Sequence, residues 1–451
     1  MTYMIRKWTD KLQLDPPKTL VLGFALIILL GTFLLTLPSA TVNGQGLPWL
    51  DSLFTATSAT CVTGLVVVDT GTTFTTFGQM VILSLIQIGG LGFMTVATFF
   101  SLIMRKKISL RERLILQESL NQMTMEGVVR LAKMILIFTA LAELIGGVLL
   151  SIRFAFDFPL PKAIYFGFFH AISNFNNAGF DLMGDFASLT GYVDDPLVTL
   201  VVCLLIILGG IGFIVVSDLY EYRHTRRLSL HTKVVLSTTA LLVLGGTVLI
   251  FILEYTNPKT LQPLSMLGKV LGSLYQSVTA RTAGSNTLSI GDMRQSSLFL
   301  IILLMFIGAS PGSTGGGIKT TTFATLIGAV IAQIKGKEDV IFFRQRILPH
   351  MIYKSLTVTM TGLFIVMAVT MALSITEAGA RFEMILFEVT SAFATTGLSM
   401  GLTPSLSPIG KTLIILTMFA GRVGPLTIAF ALAQRRQKEY FRYPKGKITI
   451  G

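Results

Sequence analysis

The chain has 451 residues, of which 52% are hydrophobic and 13% are charged, and its formal net charge is +13. An average soluble domain carries about 25% charged residues, so this composition excludes an ordinary soluble protein and indicates a chain that crosses a membrane several times. Two cysteines, Cys61 and Cys203, are too few for a disulfide framework. The four histidines do not stand at the spacing of metal ligands.

The N-terminal 18 residues are polar for too long to form a secretory signal peptide, and they predict a cytoplasmic segment. A transmembrane helix needs about 20 apolar residues. Runs of this kind lie at 20–37, 77–104, 134–152, 197–217, 234–253, 298–309 with a continuation after residue 319, 355–375 and 412–434. The sequence therefore predicts an all-α polytopic membrane protein with eight transmembrane helices.

The positive charges predict the orientation of these spans. Most of the 36 Lys and Arg residues fall in segments that follow an even number of spans: the N-terminus, 104–133, 223–233, 335–354 and 434–447. By the positive-inside rule, both termini are cytoplasmic. Segment 38–76 has no Lys or Arg and faces outward. Simple topology explains the basic segments, while docking of an acidic cytosolic partner or of anionic lipid stays open as an alternative.

A short apolar stretch of about a dozen residues recurs in the connector within each pair of spans, and this length suits a re-entrant segment. The connectors align as FTATSATCVTGLV, FHAISNFNNAGFD, LYQSVTARTAGSN and FEVTSAFATTGLS. Their shared glycines are Gly64, Gly179, Gly284 and Gly397. The spans that follow contain IGGLGF, LGGIGF, IGASPG and AGRVGP, which align Gly89, Gly209, Gly308 and Gly421. The sequence thus predicts four helix, re-entrant pore loop, helix repeats.

The repeats divide the whole chain. The predicted units are a cytoplasmic N-terminus at 1–18, repeat 1 at 19–104, repeat 2 with a basic cytoplasmic linker at 105–222, repeat 3 at 223–334, repeat 4 at 335–434 and a cytoplasmic tail at 435–451. Every repeat begins on the inner side, so the four run parallel. This arrangement disfavours a secondary transporter with inverted repeats, which remains a rival interpretation.

Four re-entrant loops that converge on one axis would form a central pore. Non-helical backbone at membrane depth needs protein or a water-filled cavity around it, and glycine allows the close approach of backbones. A ring of carbonyl oxygens can replace the hydration shell of K⁺. The predicted selectivity filter comprises Thr63, Gly64, Ala178, Gly179, Ala283, Gly284, Thr396 and Gly397, with Val62, Asn177, Thr282 and Thr395.

With NNAG at 176–179 and RTAG at 281–284, the four repeats resemble the Trk/Ktr/HKT superfamily of cation transporters. The chain is most similar to the membrane subunit of Ktr-type potassium uptake systems, over about residues 19–434. The resemblance implies a K⁺ pathway in one chain, a homodimer in the plasma membrane, and a cytosolic ring of nucleotide-binding regulatory subunits. Sodium-selective relatives often have Ser at the first filter position, so Gly64 favours K⁺. Transport of Na⁺ and activation by Na⁺ both remain open. Ser285 departs from the pattern, because Leu or Phe follows the other filter glycines.

The third repeat contains an interrupted span, GASPGSTGGGIKTTTF at 308–323. Pro311 and five glycines cannot hold a regular helix. A phosphate-binding loop is disfavoured because Ile318 precedes Lys319 and no β-strand precedes the segment. A simple kink and a gate are the two remaining interpretations of this segment. Only this repeat is expected to break at mid-span, so loop 308–322 is predicted to be an intramembrane gate, as the resemblance also implies. The predicted gate residues are Gly312, Ser313, Thr314, Gly315, Gly316, Gly317 and Lys319, with Arg422.

Charges within apolar segments are costly and mark candidate functional residues. Arg422 stands where repeats 1 and 2 have Gly90 and Gly210, and its cation is expected beside the pore, unless it is a structural ion pair or caps carbonyl groups. Arg281 is expected to point away from the filter and to pair with Glu388 or Asp292. Glu143 is interpreted as a brace between helices and Asp218 as an interfacial residue.

The remaining polar residues give weaker signals. Asn174, Asn176 and Asn177 are expected to satisfy re-entrant backbone rather than to bind the ion. Five outer acids either concentrate cations at the mouth or are solvated loop residues: Asp69, Asp181, Asp185, Asp194 and Asp195. The spans contain no paired carboxylates or nucleophile–histidine pair, so the sequence predicts no enzyme, no organic cofactor and no nucleic-acid partner. The partners expected from sequence and resemblance together are a second copy of the chain, the regulatory ring and membrane lipid.

Overall fold

The computed structural model describes residues 16–104, 108, 110–119, 127–424, 427 and 449. The first 15 residues, positions 105–107, 109 and 120–126 of the basic linker and most of the predicted C-terminal tail lie outside the described residues. Within the described part of the chain, the only β-strands are β1 (Ile341–Phe342) and β2 (Gln345–Arg346), which pair in an antiparallel hairpin.

The rest of the regular structure is helical. In chain order the described α-helices are α1 (Pro16–Leu35), α2 (Trp49–Thr60), α3 (Thr70–Thr73), α4 (Thr76–Leu91), α5 (Phe93–Ile103), α6 (Leu110–Ser119), α7 (Val128–Phe154), α8 (Leu160–Phe175), α9 (Pro196–Gly210), α10 (Phe213–Thr225), α11 (Leu230–Glu254), α12 (Met266–Thr279), α13 (Gln295–Ile307), α14 (Thr320–Ile334), α15 (Pro349–Thr376), α16 (Phe382–Ala394) and α17 (Pro408–Val423). Short 3₁₀ turns lie at Pro38–Ala40, Thr190–Tyr192, Ile290–Asp292 and Thr403–Ser405.

Four long helices, α1, α7, α11 and α15, are each long and apolar enough to cross a bilayer. Between 22% and 39% of the residues in their most apolar windows are buried within the protein, so most of this apolar surface faces outward. Such a surface requires lipid, and the chain is therefore an integral membrane protein. The pair α9 and α10 counts as a fifth candidate span if its bent halves are taken together. The count of eight spans stays a prediction.

Four shorter helices, α2, α8, α12 and α16, each follow one of the four long helices in the chain and are here called the connector helices. The last three residues of each connector helix are buried. Each connector helix packs against the long helix that precedes it and against the helix that follows it or a helix of the neighbouring repeat. Consequently the four segments that leave these C-termini, at the positions aligned in the sequence, lie in the centre of the molecule.

The sequence analysis was wrong to confine breaks to the third repeat. Gly92, with φ +80°, separates α4 from α5, and Gly212, with φ +92°, separates α9 from α10 at a bend of 94°. Gly424, at the same position of the fourth repeat, has φ +91° and ends α17. Helices cannot continue through such left-handed backbone. The third repeat differs in that its break is a loop from Gly308 to Lys319.

Candidate functional site

Each of the four central segments carries the same alternating backbone. We number its residues from the aligned glycine, which is position 0. Position −2 has a positive φ although it is never glycine: Val62 (+56°), Asn177 (+58°), Thr282 (+111°) and Thr395 (+50°). Position 0 is also left-handed: Gly64 (+92°), Gly179 (+68°), Gly284 (+84°) and Gly397 (+93°). In an ordinary β-strand, successive carbonyl groups point to opposite sides of the strand. Here every second residue has a left-handed backbone, and this alternation turns successive carbonyl groups to the same side.

The four segments close into a ring. A Cβ atom on Gly64 would lie 2.4 Å from the carbonyl oxygen of Ala178, and one on Gly179 would lie 2.4 Å from that of Ala283. The same relation joins Gly284 to Thr396 at 2.4 Å, and Gly397 to Thr63 at 2.2 Å. Each glycine thus touches position −1 of the next segment, and the fourth returns to the first. Any side chain at position 0 would strike backbone, which explains the requirement for glycine.

The carbonyl oxygens of this ring lack backbone donors. No backbone N–H of a described residue donates to the carbonyls at positions −2, −1 or 0 of the four segments. The N–H groups at positions −2 and −1, in contrast, are bonded to carbonyls of the connector helices, as when Thr63 donates to the Ser58 carbonyl at 2.8 Å. Buried carbonyls without a partner are rare because they are costly. A cation at the centre would satisfy them, and the negative ends of the four connector-helix dipoles adjoin the same point.

A cavity of about 570 Å³ lies on one side of the ring. Its lining includes all four glycines at position 0 and the residues that follow them, among them Asp69, Asp181 and Ser399. Burial and the nearby Asp69 carboxylate raise the pKa of Asp181 to about 7. The other outer acids do not line the cavity: Asp195 binds Arg153, Asp194 binds Ser265, and Asp185 is exposed.

The helices after the ring pack on the C-terminal ends of the connector helices through a second set of glycines. A Cβ on Gly89 would lie 1.9 Å from the Thr60 carbonyl oxygen. The equivalent distances are 1.8 Å between Gly209 and Phe175, and 1.9 Å between Gly421 and Phe393. The third repeat differs, because a Cβ on Gly308 would lie 2.4 Å from the carbonyl oxygen of Gly316, in the loop of the same repeat.

The loop of the third repeat lies against the ring. A Cβ on Gly315 would lie 2.3 Å from the Thr282 hydroxyl oxygen, and one on Gly316 would lie 2.4 Å from that of Thr395. Both threonines occupy position −2. The cavity contacts position 0 instead, so loop and cavity meet the ring at different positions along its segments.

Hydrogen bonds anchor the loop to the second repeat. The backbone N–H of Ser310 donates to the Gly210 carbonyl at 3.0 Å, and that of Thr314 donates to the Gly209 carbonyl at 3.2 Å. In return, Phe213 donates to the Gly312 carbonyl at 2.8 Å. Ser313 donates from its hydroxyl to the Ser310 carbonyl at 2.6 Å. The loop is therefore a bonded structure rather than loose chain.

Two cations hold the loop by its carbonyl groups. Lys319 Nζ donates to the carbonyl of Gly315 at 2.6 Å and to that of Gly316 at 3.4 Å. Arg422 donates to the carbonyls of Thr314 and Gly89, and at 3.2 Å to that of Gly90. Among the alternatives left by the sequence, the structure shows Arg422 capping carbonyl groups. Its guanidinium joins the fourth repeat to the first and to the loop.

The asparagines of the second segment form buried networks. Asn176 donates from Nδ2 to Gln87 Oε1 at 2.7 Å and to Glu143 Oε1 at 3.0 Å, and Gln87 donates to Glu143 Oε2 at 3.1 Å. Glu143 therefore joins α7 to α4 and to the second segment, which agrees with its interpretation as a brace. Asn177, with its amide turned to satisfy both atoms, accepts from the Thr282 hydroxyl at 2.8 Å and donates to the Asn174 and Ile206 carbonyls.

Arg281 contradicts the sequence analysis. It is buried and, within the described chain, forms no ion pair. Its expected partners are engaged elsewhere: Asp292 pairs with Lys259 at 3.1 Å, and Glu388 accepts from the hydroxyls of Ser399 and Thr403.

Sequence reasoning missed several residues behind the ring. Gln87 was not considered, although it lies two residues before the aligned Gly89. His170 and Tyr275 were also missed, and both are buried and bonded to the chain that follows a ring glycine. A signal existed, because both occupy the second position of the aligned connector sequences, as Glu388 does.

Comparison with known proteins identifies the family. Residues 19–443 match the family model TrkH, described as a cation transport protein. The chain belongs to this family. This TrkH family member is accordingly a transport protein and not an enzyme.

Relatives of the TrkH family align over nearly the whole chain. It is 48% identical to the Ktr system potassium uptake protein B of Bacillus subtilis over 445 residues, which cover 99% of this chain and 98% of that protein. It is 42% identical to the potassium/sodium uptake protein NtpJ of Enterococcus hirae, covering 99% and 100%. The crystal structure of the potassium transporter TrkH from Vibrio parahaemolyticus matches with a TM-score of 0.69 at 18% identity, covering 91% of this chain and 84% of that chain. That likeness shows the fold.

Proposed function

We propose that this TrkH family member conducts K⁺ across the plasma membrane through the ring of four segments, inward under the membrane potential. The observation that carries the proposal is the set of buried ring carbonyls that receive no backbone hydrogen bond from the described residues. Carbonyl oxygens at this density replace the hydration shell of a monovalent cation. The predicted filter residues, Thr63, Gly64, Ala178, Gly179, Ala283, Gly284, Thr396 and Gly397 with Val62, Asn177, Thr282 and Thr395, are its lining.

We further propose that loop 308–322 is the gate. Its contacts with position −2 of two ring segments support this role, as do the two cations that hold it. Lys319 and Arg422 place positive charge beside a pathway for cations, where Coulomb repulsion raises the barrier to K⁺. A movement of the loop would require these hydrogen bonds to break. The gate therefore depends on bonds that a regulatory event can shift.

Regulation and assembly belong to the same proposal. The resemblance to Ktr systems favours a homodimer and a cytosolic ring of nucleotide-binding subunits docked on the basic cytoplasmic segments, with both termini on that side. Activation by Na⁺ is a further possibility that the assay below can include. Transport of Na⁺ itself is the second candidate function, because a 42% identical relative carries the name potassium/sodium uptake protein.

The test is cation flux into liposomes that contain only the purified chain, measured with K⁺, Rb⁺ and Na⁺ in turn. We expect K⁺ and Rb⁺ to enter and Na⁺ to be excluded, because the dimensions of a carbonyl ring suit the larger ions. Equal flux for all three cations would contradict a selective filter. Flux of K⁺ that requires a gradient of H⁺ or Na⁺ would favour a coupled carrier.

A further inference from the structure

Four residues, each nine positions before a ring glycine, occupy equivalent places in the four repeats but carry different functional groups. They are Thr55, His170, Tyr275 and Glu388, and all four are buried. Each lies on its connector helix. A buried polar side chain costs stability unless it is hydrogen-bonded, so the partner of each residue indicates what it does. The cavity of about 570 Å³ beside the ring is here called the outer cavity, and the chain that follows each ring glycine and contributes to its lining is called the outer limb.

In the second and third repeats this residue binds its own outer limb. The backbone N–H of Leu182, three residues after Gly179, donates to His170 Nε2 at 3.4 Å, while His170 Nδ1 lies 2.7 Å from the Phe166 carbonyl. Tyr275 donates its hydroxyl to Ser285 Oγ at 2.6 Å, one residue after Gly284.

Ser285, the residue that departs from the repeat pattern, links two buried side chains by hydrogen bonds. Its hydroxyl donates to Asn174 Oδ1 at 2.6 Å, so it accepts the bond from Tyr275. Ser285 is buried behind the ring rather than exposed at the cavity rim. The side chains of the second and third repeats are thus connected behind the ring.

The fourth repeat uses a carboxyl group at the same position. Glu388 Oε1 accepts from the Ser399 hydroxyl at 2.9 Å and from the Thr403 hydroxyl. Ser399 follows Gly397 by two residues and lines the outer cavity together with it. One side chain therefore holds two points of the fourth outer limb.

The first repeat is the exception. The Thr55 hydroxyl donates to the Asp51 carbonyl of its own helix at 2.8 Å. Its outer limb is held from another element: Gln79 Nε2 donates to the carbonyls of Thr70 and Phe74 at 3.3 and 3.1 Å. The Tyr165 hydroxyl orients that amide by donating to Gln79 Oε1 at 2.9 Å.

We infer that His170, Tyr275 and Glu388 are positioning residues for ion selectivity, because each fixes the outer limb of a filter segment through a hydrogen bond from the equivalent site on its connector helix. This inference rests on the proposed function. Selectivity between K⁺ and Na⁺ requires the ring to keep its dimensions when the smaller ion enters, and hydrogen bonds from buried helices restrain it against collapse.

The test compares three variants in the liposome assay by the ratio of K⁺ to Na⁺ flux. Glu388→Leu removes both bonds to the fourth outer limb. We expect the ratio to fall at least roughly tenfold, because a tenfold change corresponds to the loss of a single buried hydrogen bond. Glu388→Gln keeps an acceptor oxygen and should restore most of the ratio. Thr55→Val is the matched control, since Thr55 does not reach an outer limb, and it should leave the ratio unchanged.

Tyr275→Phe is a second, milder variant in case Glu388→Leu does not fold. It deletes one hydroxyl group, keeps the packing of the aromatic side chain, and should also lower the ratio of K⁺ to Na⁺ flux. Monodisperse purification and wild-type K⁺ flux would show that a variant is folded. A wild-type ratio in folded Glu388→Leu and Tyr275→Phe, or an equal fall in Thr55→Val, would overturn the inference. An unselective wild-type protein would instead overturn the proposed filter itself.

Discussion

The guanidinium of Arg422 donates a hydrogen bond to the backbone carbonyl of Thr314, which joins α17 to the loop of the third repeat. The same side chain donates to two carbonyls of α4. An arginine that satisfies three carbonyls is anchored by its planar fork of donors. The loop is therefore held against the ring by a residue from a different repeat, and release of that residue should release the loop.

We expect Arg422→Ala to raise K⁺ flux through the isolated chain by about tenfold. Hydrogen bonds to charged groups contribute about 1.5–3 kcal/mol each, and loss of the cation also lowers the electrostatic barrier. Arg422→Lys keeps the charge but not the fork, so its flux should be intermediate. Lys411→Ala is the control, because Lys411 lies on the same helix and pairs with Asp51 at 2.6 Å, away from the loop. Fluorescence-detected flux in liposomes measures all three. Wild-type flux in folded Arg422→Ala would contradict a gating role.

Lys319 gives an independent test of the loop. Its ammonium folds the loop by binding the Gly315 and Gly316 carbonyls. Lys319→Met keeps the length of the side chain and removes the donors, so we expect higher flux and weaker control by a regulatory partner. Shortening 312–318 should act in the same direction. Lys335→Met, at the exposed end of α14, should leave the flux through the isolated chain unchanged, and it serves as a control for flux alone. Decreased or unchanged flux in a folded loop deletion would argue that the segment is only structural.

Gly64→Ser tests the ring itself. A Cβ there would lie 2.4 Å from the Ala178 carbonyl oxygen, and φ is +92°. Backbone strain at such a position costs roughly 1–2 kcal/mol, and the contact must also displace the neighbouring segment. We expect the K⁺ to Na⁺ flux ratio to fall by about tenfold or more. Gly44→Ser is the matched control, since Gly44 has φ +68° with no atom within 4 Å of its Cβ. If both variants keep wild-type selectivity, the four segments do not form the filter.

Local sequence was sufficient to locate the central segments. The glycine at position 0 is required by close backbone contact, and this requirement recurs four times, so alignment finds it. The connector helices could also be inferred from their length. The breaks at Gly92 and Gly212 could not, because a glycine inside an apolar run costs a helix only about 1 kcal/mol and the run looks continuous. Tertiary contacts decide where the helix breaks. A Cβ on Gly212, for example, would lie 2.4 Å from the carbonyl oxygen of Pro311 in the loop of the third repeat.

Partners of buried charges were the least predictable part of the site. The expected pairing of Arg281 with Glu388 or Asp292 assumed that opposite charges near one pore loop would meet. Instead, Glu388 binds hydroxyl groups and Asp292 binds Lys259, because each lies within reach of a nearer partner. Hydrogen-bond partners depend on the register of packed helices, which sequence spacing within one repeat does not contain.

With the orientation proposed above, in which both termini are cytoplasmic, the outer cavity faces the exterior and predicts a dependence of uptake on external pH. Burial first, and the Asp69 carboxylate less strongly, raise the pKa of Asp181 from 3.8 to about 7. Because the pKa is raised into this range, the Asp181 carboxyl is more fully ionised at pH 8 than at pH 6. A negative charge in a cavity that leads to the ring concentrates cations, so K⁺ uptake at subsaturating concentration should rise a few-fold between external pH 6 and 8.

Asp181→Asn should flatten this pH profile at its low-pH level. Because the native pKa is raised, Asp181 opposes folding as pH rises from about 4 to 7, and the Asn variant should unfold at an equal or higher temperature at pH 8. Asp185→Asn is the control, since Asp185 is exposed and outside the cavity lining. Measuring uptake by liposomes whose internal pH is fixed separates the effect of external pH on Asp181 from the titration of groups on the inner side. A profile that Asp181→Asn leaves unchanged would remove Asp181 from the entry path for cations.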